Sequence, residues 1–236
     1  MQDLQPTGAP AAADLGHLVA VVPVRGLERA KTRLGEALDP EERRALVESL
    51  LRRTIRAAIM TPGIRAVAVV SPDPEALAVA ADSGAVTLPQ GGGGLNEGLA
   101  DGRAWAREMG ATALVVVPAD LPAIGPAELA RVLGAVRDRL AASQSSGSPA
   151  AALVALVPDR AGQGTNLLLL SPPGAIPFQF GSGSRAAHAG AAASLGATYL
   201  EVRGPLGLDL DTPDDLLDAE TAGLGSAALD APFDAP

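Results

Sequence analysis

The stretch Ala113–Pro122, ALVVVPADLP, constrains the fold more than any other part of the chain. Ala113–Val117 is a short aliphatic run without polar alternation, the pattern of a strand buried on both faces inside a parallel sheet. The run stops at Pro118, and Asp120 follows as a carboxylate just beyond the strand's carboxyl end. In open α/β sheets, ligands bind outside those ends. An acid placed there can hold a divalent cation on a substrate phosphate, or it can simply cap a turn.

The same kind of run recurs along the chain, separated by helical patterns. Leu18–Val22, Ala66–Val70, Val86–Leu88, Leu153–Val157, the second half of 158–170 and Thr198–Val202 read as strands, with Leu208–Leu210 as a last short one. Asp39-Pro40-Glu41-Glu42 supplies an N-cap, a proline at N1 and an acid at N3. Val47, Leu50, Leu51, Thr54, Ile55 and Ala58 then recur at helical spacing. Further helices are expected from Asp73-Pro74 to Gly84, over 96–108, from Gly125-Pro126 to Ala142, over Ser184–Leu195, and from Pro213 to Ala222. SQSSGSP (143–149) reads as a flexible turn inside one alternation, not as a domain linker. The expectation is therefore one α/β domain over 17–222, after an aperiodic, disordered lead-in (1–16) and before a mobile tail (223–236). Hydrophobic residues make up 47% of the 236 but aromatics only 2%, so the core must be aliphatic.

That scarcity of aromatics argues against base stacking, and the net charge of −9 argues against nucleic acid or an anionic membrane as partner. There is no cysteine and there are only two histidines, His17 and His188, which excludes a zinc–thiolate or multi-histidine centre within one chain. No apolar run approaches the roughly 18–20 residues a membrane span needs, and the first residues lack the pattern of a secretory signal, so a cytoplasmic location is expected. P-loop, GxSxG and HExxH patterns are absent. GSGSRA (181–186), with Glu201 downstream, matches a dinucleotide fingerprint but lacks the opening βαβ unit. What remains of it is a helix start with small residues, able to present backbone N–H groups and the Ser182 and Ser184 hydroxyls to an anion.

Several further features fall at strand ends. In PVRGLERAKTRLG, after the first strand, four cations lie within nine residues: Arg25, Arg29, Lys31 and Arg33. They can grip a polyphosphate, or form a solvated loop. PQGGGGLNEGLA (89–100) brings four glycines, which allow close backbone approach, to a helix start where Asn96 can cap the helix or read a base edge. LDLDTPDDL (208–216) offers Asp209 and Asp211, which would share a side if they alternate along a strand, while Asp214 and Asp215 suit a helix's first turn. His188, one turn past Ser184, can meet a carboxylate or phosphate, or merely pack. Asp159 and Arg160 can pair with each other. Aspartates from separate elements, together with basic and glycine-rich loops, suit metal-assisted transfer at a phosphate.

The ordered set VPVRGLERAKTRL, GLN, PADLP, DRxGQGTN, FGSGSxxxH and LDLDTPDDL, spread over roughly 18–220, resembles the guanylyltransferases of coenzyme F-420 biosynthesis. These are the 2-phospholactate guanylyltransferases and their bacterial phosphoenolpyruvate-using relatives, and the wider group is similar to the molybdenum cofactor guanylyltransferases. The resemblance implies a single-domain, three-layer α/β Rossmann-like nucleotidyltransferase fold with a mostly parallel central sheet. It implies GTP held by Arg25, Lys31, Arg33, Gly94 and Asn96, with Lys31 the strongest triphosphate contact and Arg33 next. Asp120 would be a Mg²⁺ ligand together with Asp209 or Asp211, and Lys31 and Asp120 would be the catalytic residues. The acceptor would meet Thr165, Gly181 and Ser184. A phosphate oxygen of phosphoenolpyruvate or 2-phospholactate would attack the α-phosphorus of GTP, releasing pyrophosphate. Expected partners are GTP and a small phosphorylated carboxylic acid, with a homodimer and a downstream transferase that takes the product as further candidates. Two positions depart from the family pattern: Arg25, where lysine is expected, and Arg185, where an apolar or aromatic residue is more usual. A transferase for another phosphorylated acceptor such as molybdopterin, or an inactive nucleotide-binding protein, are the alternatives.

Overall fold

In the computed structural model, which describes residues 15–27, 31–145, 152–225, 231 and 233, seven strands form one sheet in the order β3-β2-β1-β4-β6-β5-β7. The strands are β1 (Leu18–Pro23), β2 (Ile64–Ser71), β3 (Val86–Pro89), β4 (Ala113–Val116), β5 (Leu153–Pro158), β6 (Thr165–Ser171) and β7 (Thr198–Glu201). The chain runs outward from β1 to β2 and β3, then crosses back so that β4 lies on the other side of β1. The order thus reverses between β1 and β4, and Asp120 follows the second of these strands.

The sheet is parallel except for β6, which runs antiparallel to both β4 and β5. A tight β5–β6 connection has this consequence, because only an antiparallel partner can follow through so short a loop. It also places the first residues of β6, Thr165 and Asn166, at the edge where the parallel strands end.

Helices cover both faces. The helices α1 (Pro40–Met60), α2 (Pro74–Asp82) and α4 (Pro126–Ser145) pack on one face, and α3 (Leu95–Glu108) and α5 (Ser184–Ser194) on the other. The expected capping box forms: Asp39 Oδ1 accepts from the Glu41 and Glu42 amides at 2.8 and 2.9 Å, and the Glu42 carboxylate accepts from the Asp39 amide. A third apolar cluster joins Leu34 of a 3-10 turn (Thr32–Glu36), Leu46 and Leu50 of α1, Leu210, and Ala219 of α6 (Pro213–Thr221). It pins the turn after Lys31 and the segment before Asp211 to the same helix.

One expected strand does not form. Leu208–Leu210 follows a 3-10 turn (Pro205–Gly207) and joins no ladder. Its leucines go into the third cluster, and the Leu210 amide bonds toward the sheet's end, to the Asp120 carbonyl at 3.0 Å. Residues 1–14 of the expected lead-in, Arg29, 146–149 of the expected turn, and 226–230, 232 and 234–236 of the expected tail lie outside the described residues. Leu15 is buried, while Leu224 and Phe233 pack against the main core.

Two glycines in the middle of α3 are explained by close packing on the sheet. A Cβ at Gly102 would sit 2.6 Å from Val21 Cγ1, and one at Gly98 would sit 3.1 Å from Val70 Cγ1. Both neighbours are β-branched and stiff. Gly102→Ala is therefore expected to lower stability by about 1–3 kcal/mol through overpacking, despite alanine's better helix propensity. A fall in the urea midpoint at unchanged slope would show it, and a rise would contradict this packing.

Candidate active site

At the reversal point between β1 and β4, three carboxylates meet. Asp120, Asp209 and Asp211 each bring an oxygen to within 4.8 Å of the others. The same-strand geometry expected for Asp209 and Asp211 does not bring them there. Instead, the Leu210–Asp120 backbone bond and the leucine cluster hold an irregular segment against the end of β4.

Such crowding of like charge needs a counter-charge, and Lys31 supplies it. Its Nζ donates to Asp120 Oδ2 at 2.8 Å and to Asp211 Oδ1 at 2.5 Å, with the side chain only 9% exposed. Burial pulls this ammonium's pKa down, but the attraction of Asp120 and Asp211 outweighs it, so Lys31 stays charged and its pKa lies above the ordinary lysine value. Lys31 holds a left-handed backbone (φ 59°), which costs a non-glycine residue about 1 kcal/mol and turns the side chain inward. Asp209 has no such partner. Burial first, then repulsion from Asp120 and Asp211, push its carboxyl up to about 6.

Asn166, which follows Thr165, is a residue whose role the sequence left unassigned. Its amide nitrogen donates to the Leu206 and Gly207 carbonyls and faces Asp209 Oδ1 at 3.4 Å. It thus anchors the turn that carries Asp209. The donor set fits a divalent cation: three hard carboxylate oxygens close together, one of them, on Asp209, with its pKa raised by burial and by its acidic neighbours.

A cavity of about 500 Å³ opens over this cluster. Arg25, Lys31 and Arg33 line it on one side and Asp120, Asp211 and Pro118 on another, with Leu95 and Phe180 as apolar walls. The volume is in the usual range for a small-molecule site. The basic loop's described cations therefore share one mouth with the acids. The glycine-rich loop reaches it through Leu95, and a side chain at Gly91, Gly92 or Gly94 would meet open space.

Asn96 does not cap α3; Gly94 occupies that position. Its amide instead makes a two-way clasp with the Phe180 backbone, donating to the carbonyl at 3.0 Å and accepting from the amide at 2.9 Å. Gly181 follows at φ 131°, with open space where a Cβ would project.

Thr165 and Ser184 do not line the large cavity. They are buried, with Ser184 Oγ donating to Thr165 Oγ1 at 3.2 Å. His188 is fully buried on the same helix, its Nδ1 lying 3.1 Å from Thr165 Oγ1 and its Nε2 accepting from the Gln179 amide. Burial lowers its pKa to about 4. The start of α5 is no open anion cradle, because the Ser184 and Arg185 amides already donate to the Gly181 and Gln163 carbonyls. Arg185 braces the fold: it pairs with Glu201 at 2.7 Å and donates to the Gly162 carbonyl at 3.1 Å. The acid that completed the apparent dinucleotide fingerprint is thus spent on an ion pair. Arg160 likewise turns to Asp215 and Asp218 of α6, not to Asp159, whose Oδ1 accepts from the Gln163 amide.

Residues 18–230 match the family model described as guanylyl transferase CofC like. The chain is 45% identical over 205 residues to a phosphoenolpyruvate guanylyltransferase of Rubrobacter xylanophilus, covering 86% of this chain and 94% of that one. It is also 45% identical over 199 residues to one of Sphaerobacter thermophilus, covering 84% and 90%. Among solved structures, a nucleotide-diphospho-sugar transferase from Desulfovibrio desulfuricans G20 shares the fold, with a TM-score of 0.67 at 15% identity and 89% coverage of both chains.

The buried imidazole makes stability depend on pH in a definite direction. Unfolded, His188 takes up its proton near pH 6.5, but folded it does so only near 4. Its contribution is complete above about 6.5 and is lost as pH falls toward about 4, on the order of 3 kcal/mol in all. Between pH 7 and 4.5, wild-type protein should therefore lose more unfolding free energy than His188→Leu. Equal losses, measured by urea titration, would contradict a neutral buried imidazole.

Proposed function

The chain belongs to the CofC-like guanylyl transferase family, and from that membership we propose that it transfers GMP from GTP to phosphoenolpyruvate, releasing pyrophosphate, as a step of coenzyme F-420 biosynthesis. The observation that carries this reading is one mouth, at the sheet's reversal point, shared by Arg25, Lys31 and Arg33 and by the carboxylates Asp120 and Asp211, with Asp209 beside them.

GTP lies across this mouth with its triphosphate toward Lys31 and Arg33, Arg25 adding charge at the rim. The glycine-rich backbone up to Gly94 leaves room for the nucleoside, and Asn96 shapes that wall through its hold on Phe180. The acceptor's phosphate oxygen attacks the α-phosphorus. One P–O bond forms, the α–β bridging bond breaks, and pyrophosphate carries away the electron pair. The attacking phosphate is already anionic, so no general base is required. Lys31 balances the charge that builds on the departing pyrophosphate. Asp120, Asp209 and Asp211 would hold Mg²⁺, which neutralises phosphate charge when bound. Thr165, Gly181 and Ser184 form the acceptor's end of the site.

The test is pyrophosphate release from GTP and Mg²⁺ with phosphoenolpyruvate, 2-phospholactate and 3-phosphoglycerate supplied separately. Release with phosphoenolpyruvate is expected. Release only with 2-phospholactate would reassign the acceptor, and silence with all three would reject the reading. Asp120→Asn should keep the thermal midpoint near that of wild type yet lose about a hundredfold or more in turnover, a loss typical of removing a principal charge-stabilising group. Near-normal turnover would remove Asp120 from the site.

A further inference from the structure

A buried histidine that touches no charged group is usually read as packing. The bonds around His188 say more, because they determine where its proton sits. Nε2 lies 3.1 Å from the Gln179 backbone N–H, which can only donate. Nε2 must therefore be the unprotonated nitrogen, and the ring's proton must be on Nδ1. Nδ1 lies 3.1 Å from Thr165 Oγ1, so the threonine oxygen accepts from it. The Ser184 hydroxyl also donates to that oxygen, at 3.2 Å. A hydroxyl oxygen has two lone pairs, and both are now filled. The Thr165 proton is the capacity that remains.

We propose that His188 is a positioning residue of the acceptor site. By filling the Thr165 oxygen together with Ser184, it fixes the Thr165 hydroxyl as an obligatory donor to an anionic group of the acceptor. This rests on the proposed function, and adds to it the reason why this end of the site takes an acid. A hydroxyl that can only donate rewards a carboxylate or phosphate and penalises an amide or amine, whose N–H would face another proton. Besides Thr165, two neighbours fix the ring. Gln179 holds Nε2, Phe180 meets it edge-on with centroids 5.1 Å apart, and the Phe180 backbone is itself clasped by Asn96. The α3 helix beneath the nucleotide loop is thus linked to the hydroxyl that meets the acceptor.

The experiment measures KM for phosphoenolpyruvate and for GTP in His188→Leu, His188→Asn, Thr165→Val and the His188→Leu/Thr165→Val double variant. Asparagine places an amide N–H close to where Nδ1–H stood; leucine does not. His188→Leu is expected to raise the phosphoenolpyruvate KM about tenfold or more, the cost of a misdirected bond to a charged group, with the GTP KM within about twofold. His188→Asn should recover most of that loss, and the double variant should be no worse than Thr165→Val alone. Both KM values rising together, no recovery by asparagine, or multiplying effects would overturn the proposal.

Should His188→Leu fail to fold, the ring ¹⁵N shifts of wild-type protein at pH 7 decide the proton's place, with His17→Gln separating the two histidines. Protonated Nδ1 with bare Nε2 is expected, and the opposite tautomer or a cation overturns the proposal. Wild-type silence toward phosphoenolpyruvate with the expected tautomer present would count against the proposed function and leave the His188–Thr165 geometry standing.

Discussion

Three carboxylates within 4.8 Å of one another are the constraint on which the rest of the site depends. Left alone they would repel one another or take up protons, as the raised pKa of Asp209 indicates. The Lys31 ammonium between Asp120 and Asp211 makes the arrangement tolerable. Placing it there requires a left-handed turn in a non-glycine residue, and the cluster of Leu34, Leu46, Leu50 and Leu210 holds that turn. Aliphatic packing a few residues away thus sustains a charge arrangement that local backbone preference opposes. Lys31 offsets only part of the charge of three carboxylates, so the cluster stays net negative and suited to a divalent cation.

The second organising fact is the reversed strand. Because β6 runs against its neighbours, its first two residues lie at the ligand edge and point to opposite faces of the sheet. Thr165 turns to His188 and Ser184 on α5, while Asn166 turns to the segment that carries Asp209. One dipeptide therefore ties the Thr165–Ser184 hydroxyl pair to the acidic cluster.

Much of this was legible in the chain itself. The valine runs were long enough and bare enough of polar residues to mark the central strands, and Asp39-Pro40-Glu41-Glu42 marked the start of α1 because its capping chemistry is local. Asp120 could be placed because a strand end is a local event. Leu208–Leu210 misled, since alternating leucines and aspartates look like a strand whether or not a ladder is there to receive them, and here the leucines had a cluster to fill instead. For Asn96, which offered either a cap or a base contact, only the cap is settled: Gly94 takes that position, and the Asn96 amide bonds the Phe180 backbone 84 positions away. The roles of Asn166 and His188 depend wholly on such distant partners, and only the assembled sheet reveals them. Arg185 braces Glu201 and the β5–β6 loop, partners that again lie apart from it in sequence.

The most direct test of this account is calorimetric titration of nucleotide-free protein with Mn²⁺, comparing wild type with Lys31→Met. If the ammonium occupies the carboxylates' charge, removing it should tighten Mn²⁺ binding about tenfold or more, since a competing and repelling cation has gone. Unchanged or weaker binding would mean that Lys31 and the three aspartates do not form one site.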